Sequence, residues 1–220
     1  MMDGKKNINI QNNGLENDPL IYHQNYLDLL RNTLSRVNIN ILESIKKEFL
    51  ACYEREGTFY IFGNGGSGST ASHIAGDFVK GASSGLKKRF RFVCLNDNVP
   101  AVMAIANDHS YEDIFLEQLK NFLRKGDLVI GISGSGNSMN VLKAIEYAKI
   151  QKVKTVGFCG YKGGKLKELA DICFHVEVMD MEITEDIHLM AFHSIKQALI
   201  RDLNQGQWVS MGAAYDERIK

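Results

Sequence analysis

An excess of charge of either sign is missing from this chain, which carries 26 basic and 26 acidic residues. Proteins that bind nucleic acid or anionic membranes carry a basic footprint, so the balance argues against both partners. Also missing is any apolar run near the roughly 18 residues that span a bilayer, and the N-terminus has no signal-peptide core. A cytoplasmic location is expected. No C-x-x-C occurs among Cys52, Cys94, Cys159 and Cys173, and the last three fall in apolar, strand-like runs. Buried, reduced thiols are expected rather than disulfides or zinc ligands. At 220 residues the chain suits one domain with a substantial core.

What is present is organised around T-F-Y-I-F-G-N-G-G-S-G-S-T-A-S-H-I-A-G-D, Thr58 to Asp77. Thr58 to Phe62 has the composition of a strand buried on both faces. Gly63 to Gly68 reads as a loop whose backbone N–H groups could meet an anion at the start of a helix from about Ser69. His73 and Asp77, four residues apart, share one helix face and could act together or share a metal. Taken singly, the loop is a poor match to G-x-G-x-x-G and the pair could be a solvated surface pair. Together they stand at the carboxyl end of one strand, where open α/β sheets bind ligands.

Residues 1–18 are polar and read as a flexible arm. Two amphipathic helices follow, one from Pro19 with Ile21, Leu27, Leu30, Leu34 and Val37 on its stripe, the other with Ile41, Ile45, Phe49 and Cys52. They are expected to pack on other subunits or, more simply, to cap the sheet. Further strands are expected at 89–95, 128–132, 155–159 and 172–176, with helices at 101–106 and 112–123, after Ser138, before Ala170 and from Glu182 or Thr184 to Leu203. Strands alternating with helical crossovers imply a parallel sheet with helices on both faces.

The third strand runs into Ser133-Gly134-Ser135-Gly136-Asn137-Ser138. Hydroxyls and backbone N–H groups at a helix start can wrap a phosphate without lysine or arginine. One serine would serve as a helix cap, so three favour a ligand site. No Gly-Lys-Ser/Thr follows, which excludes a P-loop. Asn107 and Asp108 belong to a polar stop that is either a surface turn or a sugar-binding rim. On the last helix, His188 and His193 point about 140° apart and cannot face one site. His193 lies eight residues after Glu185, about 80° round the helix, and its apolar surroundings also suit a core histidine.

The motifs G-N-G-G-S with His73 following, S-x-S-G-N-S, and E-D-I-H-x-x-x-x-H, in this order over residues 25–203, resemble the sugar isomerase (SIS) domain and, more narrowly, the phosphoheptose isomerases. The resemblance implies a three-layer α/β/α sandwich with a five-stranded parallel sheet over 19–203, followed by a tail at 204–220. It implies a homotetramer with active sites at subunit interfaces, and conversion of sedoheptulose 7-phosphate to D-glycero-D-manno-heptose 7-phosphate for lipopolysaccharide or capsule. By the same resemblance Asn64, Gly65, Gly66, Ser67, Asn107, Asp108 and Glu185 line the sugar site, and Ser133, Gly134, Ser135 and Ser138 hold the phosphate. His73, Asp77, Glu185 and His193 match zinc ligands of zinc-containing members, with Asp77 and His193 the acid/base pair.

Two positions depart from the family pattern, Asp77 where Glu is usual and Glu185 where Gln is usual. The first draws a base back by about 1 Å; the second could strengthen metal binding or make Glu185 itself the base. Eight helical residues rise about 12 Å, too far for Glu185 and His193 to share an ion unless Glu185 leaves the helix or the ligands come from different subunits. Rival readings are isomerisation of another ketose phosphate and a non-catalytic phosphosugar-binding SIS module. The module would not need the four titratable residues together. A nucleotide-dependent oxidoreductase comes last, because the acid expected about 20 residues after the glycines is missing.

Overall fold

The computed structural model describes residues 19–204. The expected arm at 1–18 and the tail beyond Asn204, including Trp208, lie outside the described residues. Five strands, β1 (Thr58–Gly63), β2 (Arg91–Cys94), β3 (Leu128–Ser133), β4 (Lys154–Cys159) and β5 (Ile172–His175), form one all-parallel sheet in the order β2-β1-β3-β4-β5. β1 and β3 are buried along their whole length, which is why they are uninterrupted apolar runs. After β1 the chain moves outward to β2 and then returns across β1 to β3. The two strands that flank this reversal end in the glycine and serine loops, so both loops meet at the topological switch point.

Eight α-helices, α1 (Leu20–Leu34), α2 (Ile39–Glu54), α3 (Gly65–Gly76), α4 (Val99–Asp108), α5 (Leu116–Phe122), α6 (Met139–Ile150), α7 (Gly164–Leu169) and α8 (Met181–Leu203), complete the described residues together with two short segments of other helix type. Alternate strand residues face opposite sides, and the side chains gather into two cores. Phe59, Ile61, Ile130 and Phe158 join Phe49 of α2, Ile74 of α3 and Phe192 of α8. Tyr60, Phe62 and Val129 join Leu119 of α5, Ile145 of α6 and Leu166 of α7. The result is the expected three-layer sandwich.

Local differences from the expected elements have identifiable causes. α3 begins at Gly65, not near Ser69, so most of the supposed glycine loop is the helix's first turn. Its continuation, Asp77–Ala82, is π-helical. The single helix expected at 112–123 is a 3₁₀ turn, Tyr111–Asp113, followed by α5. α8 starts at Met181 because the Asp180 carboxylate accepts the Ile183 N–H at 2.9 Å and caps it. α2 buries Ile45, Phe49 and Cys52 against its own sheet, so it caps the sheet as in the simpler expectation. α1 packs Tyr26, Leu30 and Leu34 inward but leaves Leu20, Tyr22 and Leu27 exposed. All four cysteines are free, and Cys159 and Cys173 bring their sulfurs to 3.3 Å.

His188 is the core histidine. It is fully buried, its Nε2 lies 3.2 Å from the Cys159 carbonyl, and its Nδ1 has no partner among the described residues. Burial lowers its pKa from 6.5 to about 4, so the folded protein keeps it neutral while an unfolded chain takes up a proton below pH 6.5. The stabilisation is therefore complete above pH 6.5 and lost as pH falls from 6.5 towards 4. Between pH 7 and 5 this one group is expected to remove about 2 kcal/mol of stability. Urea unfolding at the two pH values measures it, and His188→Gln, which can still donate to the carbonyl, should flatten the difference.

Candidate active site

α3 leaves β1 and α8 crosses the same face of the sheet, and their facing sides bring together three of the predicted residues. His73 Nε2 lies 3.1 Å from His193 Nε2, and Asp77 Oδ2 lies 3.8 Å from the first and 3.7 Å from the second. Their side chains are 51%, 38% and 27% exposed for His73, His193 and Asp77 in turn. His193 is thus not a core residue; the five-residue offset from His188 puts one imidazole inside and the other at the surface. Partial burial, and next the neighbouring Lys196 ammonium, lower the pKa of His193 below its ordinary value of 6.5, with Asp77 opposing them.

Sequence reasoning missed Lys196. It sits three residues after His193, one turn along α8, with its side chain only 8% exposed, and its Nζ donates to Asp77 Oδ2. Its one signal was a charged residue inside the stretch Ala191 to Leu199, where Ala191, Phe192, Ile195 and Leu199 are all buried.

Glu185 is not part of this cluster. It lies in regular helix two turns before His193, which removes the possibility that it leaves the helix to reach the other donors. Its carboxylate instead rests on the first turn of α3, beside the Ser67 backbone N–H, and a Cβ on Gly66 would fall 2.1 Å from its Oε2. The anion expected at this helix start is therefore supplied by the chain itself, and Gly66 is needed for the close approach. Burial, then Glu182 and Asp186, raise the pKa of Glu185 more than the Ser67 contact lowers it.

Across the switch point, the serine loop has the form of an open cradle. Ser138 occupies the N-cap of α6 but makes no side-chain cap bond. Its hydroxyl lies 3.0 Å from that of Ser133, and the Ser135 hydroxyl accepts the Asn137 N–H at 3.2 Å. The simple reading of Ser138 as a helix cap therefore fails, and the first N–H groups of α6 are not satisfied by it. Gly134 lies against Met181 at the start of α8, which ties this loop to the helix bearing Glu185 and His193.

Asn64 couples the two loops. Its amide exchanges hydrogen bonds with buried Asn140, at 2.9 and 2.8 Å, and its Oδ1 also accepts from Tyr111 at 2.9 Å. Asn140 and Tyr111 were not legible as partners, since 76 and 47 residues separate them from Asn64. Gly65 and Ser67 stand in the first turn of α3. Asn107 and Asp108 end α4 at the surface, where the Asn107 amide donates to Asp108 at 2.8 Å, and neither hydrogen-bonds to another predicted site residue.

The sequence profile of the SIS domain family matches residues 22–160. The phosphoheptose isomerase of Thermodesulfovibrio yellowstonii is 38% identical over 171 residues, 76% of this chain and 83% of that protein. The phosphoheptose isomerase of Helicobacter pylori strain 26695 is 39% identical over 148 residues, 67% of this chain and 77% of that protein. The chain belongs to the phosphoheptose isomerase family of SIS-domain proteins. Among solved structures, phosphoheptose isomerase GmhA from Neisseria gonorrhoeae superposes with a TM-score of 0.75 at 23% identity, covering 82% of this chain and 96% of that one, a likeness of fold.

For a member of this family the question of a metal turns on the donor set. Tetrahedral zinc at about 2.0–2.1 Å from each ligand requires donor–donor separations of about 3.3 Å. The 3.1, 3.7 and 3.8 Å among His73, His193 and Asp77 are close to that, with two imidazoles and a carboxylate of the right chemistry. The three residues fit such an ion; Glu185 of the same chain does not join them.

Proposed function

We propose that this phosphoheptose isomerase-family protein converts sedoheptulose 7-phosphate to D-glycero-D-manno-heptose 7-phosphate, with the phosphate held by Ser133, Gly134, Ser135 and Ser138 and the reacting carbons beside Asp77 and His193. The observation that carries the reading is the convergence of His73, Asp77 and His193 on one side of the switch point, with an uncapped serine cradle on the other. Binding a sugar phosphate needs the cradle alone; moving a proton between carbons needs a base and an acid as well.

Asp77 removes a proton from C1 of the ketose, leaving an enediol, and returns it to C2. His193 carries the hydroxyl proton from O1 to O2, so the aldehyde forms at C1 and the alcohol at C2 with no net gain or loss. Glu185, seated on α3, lines the sugar site and fixes the start of that helix; its distance from the triad argues against a role as the base. A zinc ion on His73, Asp77 and His193 would polarise the carbonyl as a Lewis acid. Asn64, Gly65, Gly66 and Ser67 form the wall between sugar and cradle, with Asn107 and Asp108 at its far end.

A homotetramer with active sites at subunit interfaces is part of the proposal. Enediol chemistry benefits from exclusion of water, yet among the described residues the triad is open in a single chain, and α1 leaves the apolar side chains of Tyr22 and Leu27 exposed. Four reduced thiols support a cytoplasmic setting, and the product would supply heptose for lipopolysaccharide or capsule.

Purified protein incubated with sedoheptulose 7-phosphate, with and without chelator and added zinc, is expected to release the aldose; absence of turnover under every metal condition sinks the reading. The depressed pKa of His193 adds a pH signature. A neutral imidazole is present above its pKa, so kcat/KM should decline on the acid side with a midpoint below 6.5. A midpoint above 6.5 would assign the work to an imidazolium.

A further inference from the structure

The Asp77 side chain has two oxygens with different fates. Oδ2 faces both imidazoles and accepts from the Lys196 ammonium, while Oδ1 accepts no hydrogen bond from any described residue. Lys196 itself is almost wholly buried, among Phe192, Ile195 and Leu199 of its own helix, and Asp77 is the carboxylate it reaches. An ammonium is not buried without return: its desolvation is offset only by a close counter-charge. The pair is therefore a fixed part of the site, unlike a pair of solvent-exposed side chains.

We propose that Lys196 is a positioning residue that brings to Asp77, from within the chain, the positive charge a divalent ion would otherwise bring. The inference rests on the isomerase reading above. Lys196 pins Oδ2 and turns Oδ1 outward as the atom that meets the substrate carbon. Because a metal on His73, Asp77 and His193 would use the same Oδ2, lysine and metal are alternative partners of one oxygen. The shorter Asp77 side chain fits this role: its carboxylate is held by a partner on the opposite helix instead of reaching further on its own.

The test is Lys196→Met, which keeps the length and removes the charge, with Lys196→Arg as the conservative variant and Lys196→Gln as a second neutral replacement should the Met variant fail to fold. Cobalt(II) binding, followed by its visible absorption in the absence of substrate, is expected to tighten about tenfold or more in the neutral variants, because the competing ammonium is gone. In chelator-treated protein, kcat for sedoheptulose 7-phosphate should fall about tenfold or more with KM within twofold, and Lys196→Arg should recover part of the loss. Unchanged cobalt affinity, or an undiminished metal-free kcat in a folded neutral variant, overturns the proposal. Wild-type protein is the control that separates the two readings, since its failure to turn over condemns the isomerase assignment and not the role of Lys196.

Discussion

Replacing His193 with Gln is expected to lower kcat for sedoheptulose 7-phosphate by about 10²- to 10⁴-fold, the usual contribution of a positioned acid–base group, while phosphosugar binding stays measurable. Gln has similar length and can hydrogen-bond both oxygens of an enediol, but it cannot give up one proton and accept another. The substitution should cost little stability, since the imidazole is 38% exposed and its nearest partner is the still more exposed His73. Loss of turnover with retained binding, by calorimetry and thermal shift with the substrate, is the expected pair of results. Full activity in the variant removes His193 from the mechanism and leaves proton transfer to Asp77 alone.

Gly136→Ala is expected to destabilise the protein by about 3 kcal/mol and to raise KM about tenfold or more. Gly136 sits in the serine loop at φ +67°, a conformation that costs an L side chain energy. A Cβ there would also lie 1.9 Å from the Gly163 carbonyl oxygen and 2.6 Å from its carbon, which are backbone atoms that cannot rotate away. The two segments are laced together, since Leu166 N–H donates to the Gly136 carbonyl at 2.9 Å and Lys165 N–H to the Asn137 side chain at 3.1 Å. To admit a methyl the loop must separate from the start of α7, and the hydroxyls of Ser133, Ser135 and Ser138 move with it. Urea unfolding gives the stability and steady-state kinetics the KM. A variant that loses under 1 kcal/mol with unchanged KM would mean that the cradle does not depend on this contact.

The sheet was legible because its inner strands are buried on both faces and therefore cannot hide their apolar character. β1 and β3 read correctly for that reason, while the edge strand β2, with Arg91 and Val93 exposed, is shorter than its apolar run suggested. The start of α3 was not legible. Glycine is a poor helix former, so Gly65, Gly66 and Gly68 look like loop. They are helical because Glu185 sits against Gly66 and the Asn96 amide against Gly68, contacts from 119 and 28 residues away in the chain (185 − 66 and 96 − 68). The opposed directions of His188 and His193 followed from helix geometry, but which of them faced the core did not, because apolar residues surround both in sequence. Lys196 stayed hidden because a helical lysine is ordinarily a solvated one.

The division of the apolar side chains into two cores, separated by the sheet, has a consequence for how such a molecule can be altered. The helices carrying His73, Asp77, His193 and Lys196 rest on one core, and α6, which opens at the serine cradle, rests on the other. Each layer can then be redesigned against a constant partner. A library confined to α5, α6 and α7 would vary which anionic group is gripped and at what depth, with the proton-moving side held as a fixed module. Pairs of changes drawn one from each layer should behave additively, except where the layers touch, as at Asn64 and Asn140, which exchange hydrogen bonds, and at Gly134 against Met181.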